Sequence, residues 1–203
     1  MGQHRHRIAG RDGATVENKA NEFELNLAEQ ADSNSLVRVE MDSEHSISMK
    51  LQGADDVEGD VSRYSVTYQD ARTDTDLKLT SKRNGFKEEL ILSSADAPDR
   101  FVYPLELEGL TAAVEDSGDV VYRDGDGLER ARTPHGFMYD SNVDPNSGEP
   151  VISNGVAFAI IPHGAGQALE VRLDRQWLNS PDRQWPVTVD PTPTSTPRET
   201  TPS

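Results

Sequence analysis

Apolar and polar residues alternate along most of this chain with a period of two, not 3.6. Phe23-Glu24-Leu25-Asn26-Leu27 is the first clean run, and Leu36–Met41 and Ile47–Leu51 follow it. Tyr64–Tyr68, Leu77–Thr80, Glu89–Leu92, Tyr103–Leu107 and Val120–Tyr122 continue the pattern. Val156–Ile161, Leu169–Leu173 and Pro186–Val189 complete it. Neighbouring side chains of a strand point to opposite faces, so each run offers one face to a core and one to water. Many short strands separated by Gly, Asn, Asp and Pro predict an all-β chain with little helix. The predicted architecture is an antiparallel β-sandwich, built as one body or as two small packed β units.

The punctuation between the runs refines this reading. Asn84-Gly85 lies between two of them and is a strong hairpin signal; Asp126-Gly127 and Asn154-Gly155 are weaker ones. Helix is expected only as a short turn over Asp174–Leu178. Val66-Thr67-Tyr68-Gln69-Asp70 and Val120-Val121-Tyr122-Arg123-Asp124 share the pattern V-x-Y-x-D. In strands that pattern puts Val, Tyr and Asp on one face, with Asp at the strand exit. It reads as coincidence or as a duplicated β unit.

The ends differ from the middle. Residues 1–20 are charged and poor in large apolar groups, which predicts a flexible arm. Residues 21–190 hold the strands and form the expected sandwich module. From 191 to 203 the chain reads PTPTSTPRETTPS, where proline denies both helix and sheet, so a linker or tail is expected. The basic start Met1–Arg7 is followed by no apolar run, so no signal peptide is expected. No stretch approaches the roughly 20 apolar residues of a membrane span, so no membrane insertion is expected either.

Composition narrows the partners. Apolar residues are 34% and charged residues 28%, but the apolar ones are grouped into runs, which favours a folded domain. The net charge of −16 argues against nucleic acid and against anionic membrane surfaces. With no cysteine, disulfides, thiolate metal sites and cysteine nucleophiles are excluded.

Catalytic motifs are missing from the sequence. The five histidines lack metal-ligand spacing, and no nucleophile elbow, acylation motif or phosphate loop occurs. The expectation is that the chain is not an enzyme and has no cofactor. Calcium is the one ion worth testing: Asp140, Asn142 and Asp144 place oxygen side chains at alternate positions, as calcium loops do. The loop departs from the EF-hand pattern at Pro145 and Val151, and the competing reading is a solvated turn. Trp177, Trp185 and Tyr139, with Phe137 nearby, are the candidate ligand-binding aromatics, suited to stacking on a sugar face. The competing reading is that they close the ends of the core.

Several segments together carry a family resemblance. They are Val66–Asp70, Thr75-Asp76-Leu77, Asn84–Leu92, Tyr103–Leu110, Pro134 with Phe137–Ser141, and Trp185–Thr192. In order and spacing this region resembles the N-terminal β-rich part of secreted, wall-associated proteins of high-GC Gram-positive bacteria. In that group it precedes DNRLRE-type β-sandwich domains or YD-repeat (RHS-like) shells. The resemblance spans about residues 45 to 192, and its GFKE and PVTVDPT segments are the most specific. It implies an extracellular or cell-wall location and a structural or interaction module of a larger surface protein. The implied partners are neighbouring domains of that protein or cell-wall components. The alternative is a module that binds carbohydrate or another cell-surface ligand.

Overall fold

The computed structural model describes residues 14–18, 23–143, 148–190 and 194–195. Among them the chain forms eighteen strands and one four-residue helix. The first four strands are β1 (Ala14–Asn18), β2 (Glu24–Ala28), β3 (Val37–Glu40) and β4 (Ser46–Met49). Next come β5 (Asp60–Val61), β6 (Ser65–Arg72), β7 (Thr75–Lys82), β8 (Gly85–Leu92) and β9 (Arg100–Glu108). Then follow β10 (Thr111–Val114), β11 (Val120–Arg123), β12 (Glu129–Thr133), β13 (Phe137–Val143) and β14 (Pro150–Ser153). The chain ends with β15 (Val156–His163), β16 (Gly166–Leu173), helix α1 (Arg175–Leu178), β17 (Val187–Asp190) and β18 (Thr194–Ser195).

These strands make two antiparallel sheets, as the period-two pattern predicts. The smaller sheet has seven strands in the order β1-β2-β3-β4-β9-β16-β15. The larger has eleven, running β10-β11-β12-β18-β8-β17-β13-β14, with β7, β6 and β5 extending from the other side of β8. One continuous cluster of buried side chains fills the space between them. Leu25, Leu27, Val39, Ile47, Phe101 and Val171 enter it from the smaller sheet. Val66, Leu77, Leu79, Leu90, Tyr122 and Val189 enter from the larger. Every second residue of a strand faces inward, and burying each such side chain stabilises the fold by about 1.5–3 kcal/mol.

Polar bonds also tie the sheets together. The Tyr68 hydroxyl on β6 donates to the Ala28 carbonyl at the end of β2, at 2.6 Å. The Tyr103 hydroxyl on β9 donates to the Glu88 carboxylate on β8. Gly59 lets the chain pass close to the first of these tyrosines. A Cβ there would lie 2.3 Å from Val66 Cγ1 and 2.8 Å from Tyr68 Cε1.

The turns agree with the sequence in position more than in detail. The hairpin between β7 and β8 is present, but Lys82 pairs with Gly85, so its two loop residues are Arg83 and Asn84. Gly85 instead opens β8 at a φ of 151°, a backbone that favours glycine. Asp126-Gly127 does turn β11 into β12, with Gly127 at φ 81°. Asn154-Gly155 joins β14 of the larger sheet to β15 of the smaller, so it is a crossover and not a hairpin. In both V-x-Y-x-D segments the Val and Tyr are buried in the core, and Asp124 then caps the turn that follows.

Two segments expected to be irregular carry strand. Ala14–Asn18, inside the expected arm, pairs with β2, and Thr194–Ser195, inside the expected tail, pairs with β12 and β8. The rest of the arm and tail, residues 1–13, 19–20, 191–193 and 196–203, lies outside the described residues.

Candidate functional site

Three of the sequence-nominated residues, Asp140, Trp177 and Trp185, lie where β13, α1 and the segment before β17 come together. Asp174 caps α1, its Oδ1 accepting the amides of Gln176 at 2.9 Å and Trp177 at 3.2 Å. That cap fixes Trp177, whose ring is half-buried against the core. The chain then returns through Arg183, which lays its guanidinium over the Trp177 ring at 3.3 Å from the centroid. Arg183 Nε also donates to the Trp177 carbonyl at 3.1 Å.

Asp140 of β13 completes the arrangement. Its Oδ2 accepts from Arg183 Nη1 at 2.5 Å, with the two side chains 0% and 8% exposed respectively. Oδ1 accepts the Asn142 amide at 3.0 Å, and Oδ2 also takes the Gln184 amide at 3.4 Å. Ser141 reinforces the junction, its hydroxyl donating to the Trp185 carbonyl at 2.9 Å. Trp185 is half-buried on the core and precedes a cis peptide to Pro186.

Two of the three calcium candidates lie in a strand and not in a loop. Asp140 and Asn142 are strand residues of β13, and the cation that reaches Asp140 is a guanidinium. Asp144 lies outside the described residues. Among the described residues no group of three or more His, Asp or Glu is placed to hold a metal ion. The aromatic candidates are not a single platform either. Trp177 has one face covered by Arg183, whereas Tyr139 lies on the opposite face of β13 from Asp140 and stacks on Phe137. The Phe137 and Tyr139 centroids are 6.2 Å apart with planes inclined by 29°.

Sequence reasoning missed Arg183 and the Glu88–Tyr103 pair. Burial between the sheets pushes the Glu88 carboxyl up to about 7, against a smaller downward pull from the Tyr103 hydrogen bond. The signal for Glu88 was present: in Phe86-Lys87-Glu88-Glu89-Leu90 it occupies the inward position of an alternating strand. The signal for Arg183 was an acidic residue, Asp140, at an inward position of β13. A charge at such a position requires a partner.

No family model matches the chain, and no solved structure matches it. Three relatives do. A protein named tRNA(Glu)-specific nuclease WapA, from Bacillus subtilis subsp. natto, is 30% identical over 126 residues. One named tRNA3(Ser)-specific nuclease WapA, from Bacillus spizizenii, and one named tRNA nuclease WapA, from Bacillus subtilis, are each 29% identical over 126 residues. Each alignment covers 62% of this chain and 5% of the relative, so the chain spans about a twentieth of the proteins it matches.

These relatives correct two expectations. The chain was expected not to be an enzyme because it lacks catalytic motifs, yet the proteins it aligns with are all named as nucleases. A motif search over one segment says nothing of chemistry carried by the other 95% of such a protein. The expected absence of a nucleic-acid partner also conflicts with relatives named for tRNA. That expectation rested on a whole-chain charge of −16, which describes this segment's average field and not that of a larger protein.

Proposed function

We propose that this chain is a β-sandwich module of a large bacterial surface protein of the WapA kind, a protein that cleaves tRNA. In it the module spaces, displays or helps assemble the other parts. The observation that carries this reading is the alignment of 126 residues, 62% of this chain, with only 5% of each relative. The continuous core and the two hydrogen bonds between sheets support a rigid spacing role. The resemblance of residues 45 to 192 to regions that precede DNRLRE domains or YD-repeat shells extends the reading to architecture. The partners are then neighbouring domains of the same polypeptide, or the cell wall, outside the cell. No helix among the described residues is long and apolar enough to cross a membrane.

The test begins with the whole gene product incubated with total tRNA. Cleavage confined to particular tRNA species is expected, and intact tRNA throughout contradicts the nuclease part of the proposal. Deleting residues 23–190 from that product is expected to reduce intact protein at the cell surface. Unchanged yield and location contradict the structural part.

A further inference from the structure

Strand β18 has two residues, yet it lies in the interior of the larger sheet, with β12 on one side and β8 on the other. Ser195 pairs with Arg132 of β12 and with Gly85 of β8, and Thr194 pairs with Phe86. Among the described residues β12 and β8 share no ladder of their own, so the sheet is continuous there only through β18. The sequence limits the length of this insert. A strand flanked on both sides must offer amide hydrogens, and proline has none. Pro191, Pro193 and Pro197 lack that donor, which leaves Thr194–Thr196 as the run of consecutive donors between them.

Both walls of the slot are held independently of β18. β8 pairs with β7 without a break from Thr75↔Leu92 to Lys82↔Gly85, and its Phe86 is buried in the core. β12 pairs with β11 and buries Ala131 in the same core. The Arg132 side chain is held by Glu115, Asp119 and Glu129 at 2.6 to 3.0 Å. The root of the insert is fixed as well, because Lys87 Nζ lies 2.8 Å from Asp190 Oδ2 where β17 ends. Withdrawal of β18 therefore breaks only its few ladder bonds and leaves two formed strands facing a gap.

We infer that the slot between β12 and β8 is a binding site for an extended peptide segment, which residues 194–195 of this chain fill and leave by exchange. Affinity in such a site comes from main-chain hydrogen bonds, and here two strand edges supply them instead of one. The ligand class is an extended segment with at least two consecutive residues other than proline. The chain's own tail is the favoured occupant. Three residues separate Asp190 from Thr194, so its return to the slot is intramolecular and outcompetes a free peptide. Its departure is a local opening, which costs less than unfolding the sandwich.

The experiment uses the 203-residue chain and a fluorescent synthetic peptide with the sequence of residues 191–203, PTPTSTPRETTPS, read by fluorescence anisotropy. A full chain carrying Thr194→Pro and Ser195→Pro loses both donors of β18 and vacates the slot. This variant is expected to bind the peptide about tenfold more tightly, or better, than the wild-type chain does. A peptide with the same two prolines is expected to bind neither chain. Hydrogen exchange of the wild-type chain gives a readout independent of variant folding. The amides of Thr194 and Ser195 are expected to be protected, yet to exchange faster than the bonded amides of β7 and β16. Equal binding of the peptide by variant and wild type overturns the inference, as does binding by neither. So does binding of the proline-substituted peptide to the variant. Amides at 194–195 that are unprotected, or that exchange as slowly as those of β7, overturn it too.

Discussion

Tyr103 of the smaller sheet donates its phenol hydrogen to Glu88 of the larger one, inside the sandwich. The carboxyl is raised by burial to about 7, while an unfolded glutamate titrates near 4.5. Between those values the folded chain holds a proton that the unfolded chain has released. The stabilising contribution of the protonated group is therefore complete below the unfolded value and is lost as pH rises through the folded one. Glu88→Gln removes this titration. Urea unfolding at about pH 5 and about pH 8 should show the wild type losing about 2.5 kcal/mol more than the variant over that interval. Equal losses contradict the assignment.

The Asp140–Arg183 pair is a second interior bond, and its prediction concerns stability. Both side chains are nearly inaccessible, so removing one partner strands a buried charge. Asp140→Ala and Arg183→Ala should each cost about 3–5 kcal/mol by chemical unfolding. The double variant should cost less than the sum of the two single ones. Arg183→Ala also uncovers one face of Trp177, so its indole fluorescence should shift, whereas Asp140→Ala leaves that ring covered.

Gly59 gives a backbone prediction. A methyl group at this position meets Val66 and Tyr68, and both are fully buried. Gly59→Ala should destabilise the chain by about 1–3 kcal/mol, read as a lower unfolding midpoint. If stability is unchanged, the close packing of this segment over β6 is wrong.

The strands legible in the sequence were those in which apolar side chains alone mark the inward face. Leu25 and Leu27 on β2, Leu77 and Leu79 on β7, and Leu169, Val171 and Leu173 on β16 all show it. β13 was illegible for a physical reason. Its inward positions are Met138 and Asp140, and a buried aspartate breaks the hydrophobic alternation. Phe137-Met138-Tyr139-Asp140-Ser141-Asn142 thus suggested an aromatic platform and an oxygen-rich loop, although it forms a strand. Its partner Arg183 lies 43 residues away, and only the tertiary fold reveals that pairing. β12 was hidden in the same manner: Glu129-Arg130-Ala131-Arg132-Thr133 buries only alanine and threonine. The candidate site was therefore legible as a set of residues and not as an arrangement.

Surface ion pairs should matter less than the interior ones. Arg132 bonds Glu129, Asp119 and Glu115 at 2.6 to 3.0 Å, with its side chain 30% exposed. Arg132→Gln should cost no more than about 1 kcal/mol, and the loss should shrink further in high salt. A loss as large as that of Arg183→Ala contradicts this ranking of surface and interior charge.

The most direct test of the central claim is an immunoblot of the producing cells with antibodies raised against residues 23–190. The account predicts a band many times larger than the 203-residue chain, recovered in the cell-surface or wall fraction. A band of the size of this chain alone, confined to the cell interior, contradicts it.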